Sequence, residues 1–82
     1  MSKERLNELL KELNRELGET GELDAETREH LTRLNEDIER LTGDSQSALD
    51  RAKHIESRFA ADHPVVERIA RELADILAKM GI

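Results

Sequence analysis

Cysteine is absent from the 82 residues, and so are tryptophan and tyrosine. No disulfide and no thiolate metal site can form. Phe59 is the one aromatic of the Phe/Trp/Tyr class. The chain therefore lacks a stacking platform for single-stranded nucleic acid and an aromatic cage for cations. Long apolar runs are missing too, and a membrane-spanning helix needs about 20 such residues. The opening "MSKERLNELLKEL" carries a charge every few residues, which is not the pattern of a secretory signal. A cytoplasmic location is the expectation. Positive charge is in deficit: 13 basic against 19 acidic residues give a net charge of -6. Such a surface repels phosphate backbones and anionic lipid, so neither nucleic acid nor membrane is an expected partner.

Catalytic patterns are missing as well. There is no H-E-x-x-H and no G-x-x-x-x-G-K-[ST]. Ser45, Ser47 and Ser57 have no evident His–Asp arrangement around them. The acids fall off the apolar stripes and are expected to be wet, so nothing raises one carboxyl above another. Enzymatic activity is not expected, no cofactor is implied and no catalytic residue is proposed.

What the chain does have is helical periodicity in a domain-sized length, read as a single helical domain over residues 1–82. Four helices are predicted, over about 3–17, 25–41, 46–60 and 64–80. The first carries a seam of Leu6, Leu10, Leu13 and Leu17, at steps of 4, 3 and 4. Gly18 is expected to end it in a left-handed cap. Asp24 reads as the N-cap of the second helix, where its carboxylate accepts from open backbone amides. That helix carries Leu31, Leu34, Ile38 and Leu41 behind Thr27, and Gly43 stops it. Asp44 or Ser45 is expected to cap the third helix, with Ala48, Leu49, Ala52, Ile55 and Phe59 on its apolar face. "ADHP" then closes one helix and opens the next: Asp62 or His63 caps, and Pro64 takes the first turn, where its missing amide costs nothing. The last helix carries Val66, Ile69, Leu73, Ile76 and Met80, widened by Val65, Ala70 and Leu77.

The fold expected is all-α. Helices one and two form an antiparallel hairpin, because their connection is short. Two further helices complete a bundle or coiled-coil-like assembly. A chain this short has a thin stability margin alone, and a symmetric dimer is a common remedy. A homo-oligomer, with a dimer favoured, is the expected partner state; another protein is possible.

Three polar features stand out. Asn7, Asn14 and Asn35 fall at positions flanking the seams, where amides can bridge helices and fix their register. Residues 19–40 hold eight acids against three bases, so they contribute -5 of the net -6. Glu26 and His30 lie four apart, as do Asp50 and His54. Each pair places two metal ligands on one helix face, but a structural zinc takes four ligands, and the spacing alone does not join the pairs.

The opening "MSKERLNELLKELNRELG" and the closing "FAADHPVVERIARELADILAKMGI", with Phe59, the His63–Pro64 pair and the run Leu77 to Ile82, resemble a family of small bacterial helical proteins catalogued as a domain of unknown function. The resemblance covers essentially the whole chain. It implies a bacterial cytoplasmic protein and brings no catalytic residues. From sequence, the favoured function is a non-enzymatic helical structural or protein-interaction module that self-associates. The alternatives are a monomeric adaptor docking through its C-terminal amphipathic helix, and a metal-binding protein built on Glu26, His30, Asp50 and His54.

Overall fold

A computed structural model describes residues 2–21, 23–40 and 46–80, without the side chains of Ser2 and Met80. The described residues form four α-helices: α1 (Ser2–Thr20), α2 (Ala25–Arg40), α3 (Gln46–Phe59) and α4 (Pro64–Met80). Expectations placed on Leu41, Gly43, Asp44, Ser45, Gly81, Ile82 and the Met80 side chain lie outside what is described.

The helices begin and end where local chemistry permits. The Asp24 carboxylate accepts from the Thr27 amide at 2.8 Å, and the Asp24 carbonyl accepts from the Arg28 amide at 2.9 Å. These two bonds satisfy amides that the first turn of α2 would otherwise leave open. Hydrogen bonds from the Thr27 amide and side chain also hold the Asp24 carboxyl below its ordinary value, with the nearby Arg58 adding to the effect. Between α3 and α4 the chain turns at Ala60–His63 and does not run through as one kinked helix. His63, rather than Asp62, stands at the N-cap: its carbonyl takes the Glu67 amide at 3.0 Å, and Pro64 follows at the first helical position. Asp62 is exposed one residue earlier.

The end of α1 corrects an expectation. Gly18 does not terminate the helix, which continues to Thr20. The left-handed residue is Gly21, at φ +71°. Glycine in a helix costs about 1 kcal/mol relative to alanine, less than a packed helix gains from another turn. The Thr20 hydroxyl donates back to the Leu17 carbonyl at 2.9 Å, satisfying a C-terminal acceptor.

The helices pack in a ring. α3 and α4 share the broadest interface, α1 lies on α4 and α2 on α3, and α1 meets α2 along a narrow line. With helices that follow one another in the chain packed as neighbours, this is an up-down-up-down arrangement. The radius of gyration is 11.5 Å, against about 12 Å for a compact chain of this length. One core fills the ring: Leu6, Leu9, Leu13 and Leu17 from α1; Leu31, Leu34 and Ile38, with Thr27, from α2; Ala48, Ala52, Ile55 and Phe59 from α3; Val66, Ile69, Ala70, Leu73, Ala74 and Leu77 from α4. Each fully buried large side chain contributes about 1.5–3 kcal/mol.

Two positions depart from the heptad seams. Leu9 is fully buried where Leu10 was expected, and Leu10 is half-buried. Leu77 is fully buried while Ile76 is half-buried. The cause is geometric. A heptad seam needs supercoiled helices, whereas nearly straight helices in a globular bundle bury a stripe at 3.6 residues per turn. No helix among the described residues is long and apolar enough to cross a membrane.

Candidate functional site

α2 presents a different polar feature on each flank. Toward α1 lies Asn35. Its side-chain amide donates to Asn14 Oδ1 at 3.3 Å, and the Asn14 amide donates to Asn35 Oδ1 at 3.1 Å. Asn14 Nδ2 also reaches the Leu10 carbonyl, one turn back, at 2.7 Å. The pair is half-buried, and reciprocal bonds satisfy a donor and an acceptor on each amide. Asn7 is exposed and outside this bridge. Leu10 sits one turn before Asn14 on the same flank, half out of the core.

Toward α3 lies a cleft of about 340 Å³, lined by His30, Ser47, Asp50, Arg51 and His54. The local folding explains its membership. Glu26 and His30 are one turn apart on α2, and Asp50 and His54 are one turn apart on α3. Antiparallel packing of α2 on α3 then sets His30 across from His54, with Glu26 and Asp50 one turn away in opposite directions. The His30 and His54 rings stack with centroids 4.0 Å apart and planes 26° apart. One ligand atom each from Glu26, His30 and His54 lies within 4.8 Å of the others. His30 Nδ1 and His54 Nε2 are buried and have no hydrogen-bond partner. A buried polar atom left unpaired costs about 1–3 kcal/mol, so its presence asks for a cause.

Electrostatics around the cleft are mixed. Burial is the largest influence on His30 and pushes its pKa down; positive charge at His54 and Arg51 acts in the same direction, and Glu26 and Glu29 oppose it. Arg51 is engaged by Asp37 of α2 at 3.3 Å. Asp50, exposed at the rim, accepts from the Gln46 side chain at 3.1 Å. Neutral imidazoles beside a carboxylate can donate lone pairs to a cation.

Of the residues singled out from sequence for a metal, Glu26, His30 and His54 converge, and Asp50 lines the same cleft. The spacing within each helix was visible in the sequence. The stacking of two rings from different helices was not, because it depends on the register of α2 against α3. Ser47 and Arg51 join the cleft for the same reason.

No curated protein and no solved structure matches the chain. The family model described as Domain of unknown function (DUF4404) matches residues 6–82. That span reaches all four helices, omitting only the first turn of α1, and includes both flanks of α2; the chain belongs to this family.

Proposed function

We propose that the chain is a small non-enzymatic cytoplasmic module that acts through protein contact and pairs with a second copy of itself. The observation that supports this is Leu10. It is only partly buried, at the edge of the core on the α1 flank that faces α2, where the contact between helices is thinnest. A leucine left partly wet beside a thin interface is a surface that a second copy would cover. Elsewhere the surface is charged, which favours solubility over indiscriminate association.

Docking through α4 has less support. Val66, Ile69, Leu73 and Leu77 are turned into the core, leaving exposed Val65 and half-buried Ile76. A helix whose apolar face is occupied must leave the bundle before it can enter a partner's groove.

Light scattering over a wide dilution series tests the reading. A dimer mass that falls at low concentration, and a Leu10→Glu chain that is monomeric yet equally helical by circular dichroism, are the expected results. A wild-type chain that is monomeric at every concentration would refute self-pairing.

A further inference from the structure

We propose that Glu26, His30 and His54 bind a divalent transition-metal ion of the zinc class across the α2–α3 interface, with water completing its coordination. Three observations carry the assignment. The ligand atoms of the three residues already lie within 4.8 Å of one another, on two helices. Two buried imidazole nitrogens, His30 Nδ1 and His54 Nε2, have no partner. The rings form one wall of an open cleft of about 340 Å³, so an ion can enter without opening the core.

The ligand set selects the class of ion. Two imidazoles with a carboxylate suit zinc, copper, nickel or cobalt, whereas calcium and magnesium take all-oxygen shells. Zinc binds His nitrogen and carboxylate oxygen at about 2.0–2.2 Å, so ligand atoms around one ion stand closer together than they do here. Small rotations of His30, His54 and the exposed Glu26 side chain would close that gap. The one opposing charge at the cleft, Arg51, is already paired with Asp37.

The consequence is mechanical. α2 touches α1 narrowly, so an ion shared by α2 and α3 fastens α2 more firmly to the best-packed half. Because both ligand helices must be folded to make the site, binding stabilises the fold by mass action. The proposal is independent of self-pairing, which concerns the opposite flank of α2.

Isothermal titration of the metal-free chain with zinc chloride tests it, with cobalt chloride followed by its visible absorption and magnesium chloride as control. Expected are one ion per chain, a melting temperature that climbs with free zinc, and no response to magnesium. His30→Gln and His54→Gln, each checked for helicity without metal, should weaken zinc binding by more than about tenfold, which is the lower end of what even a supporting residue costs. His63→Gln, outside the cleft, should bind as the wild type does. Glu26→Gln should weaken binding as well. The proposal is overturned by no zinc binding, by equal response to magnesium, by one ion per two chains, or by binding that survives in the His30→Gln/His54→Gln chain.

Discussion

The α3–α4 half and the α1–α2 half are held by different means. α3 and α4 each bury small residues, Ala48 and Ala52 on one and Ala70 and Ala74 on the other. Small side chains let backbones come close, and the broadest interface of the molecule results. Phe59 then fills the end of that half, 1% exposed and with its ring 5.5 Å from that of His63. α1 and α2 touch little and are joined by the Asn14–Asn35 amide bridge. The other three interfaces each carry an arginine–carboxylate pair: Arg5–Glu72 between α1 and α4, Arg51–Asp37 between α2 and α3, and Arg71–Glu56 between α3 and α4. Arg5–Glu72 and Arg71–Glu56 are exposed, and such pairs contribute about 0–1 kcal/mol, so they are not what makes the halves differ. Packing carries one half, and directional hydrogen bonding aligns the other.

The strongest way to break this comparison is Phe59→Ala. Removing a fully buried aromatic costs about 3–5 kcal/mol, a large share of what so short a chain possesses. Urea denaturation should show a lower midpoint or a chain already unfolded; a midpoint near wild type would mean that the α3–α4 half does not rest on packing.

The amide bridge comes next. Asn14→Ala and Asn35→Ala should each destabilise the chain, and the double substitution should cost less than their sum. The coupling expected is about 0.5–1.5 kcal/mol, the net value of a neutral hydrogen-bonded contact. Additive effects in the same denaturation experiment would show that the two amides are neighbours without being partners.

A pH effect separates the two flanks of α2. The folded chain holds His30 below its ordinary 6.5, chiefly by burial, with His54 and Arg51 adding to the shift and Glu26 and Glu29 opposing it. Between those values the unfolded chain binds more protons than the folded one, so stability rises with pH. The full contribution is present above about 6.5 and is lost as pH falls toward the lowered folded-state value. Melting in metal-free buffer should therefore weaken through that window, and His30→Gln should flatten the slope there. An identical slope in that variant would assign the loss to other groups.

Much of this architecture is legible in the sequence because its signals are local. Asp24 three residues before an amide it can cap, Pro64 at a first turn, and leucines three and four apart all act within one helix. Two kinds of feature are not legible in that way. One is the choice among equivalent residues: "GETG" offers Gly18 and Gly21, and only the path into Leu23 and Asp24 decides which turns left-handed. The same holds for Leu9 against Leu10, where the bundle's geometry chooses the stripe. The other is the register between helices. Glu26–His30 and Asp50–His54 are plain as spacings, but the stack of His30 on His54 exists only once α2 and α3 have found their offset. Asn14 and Asn35 are similar: their places beside the seams can be read, their pairing cannot.

The ring of helices also has a kinetic meaning. Three of its four interfaces join helices that follow one another along the chain. Such neighbours meet by closing short loops, which is fast and entropically cheap. The fourth, α1 on α4, joins residues as distant as Arg5 and Glu72. Assembly can thus proceed as a succession of local hairpins, with the meeting of first and last helices as the slow, late event. Alterations confined to that contact would be felt mainly in how fast the molecule comes apart, and little in how fast it forms.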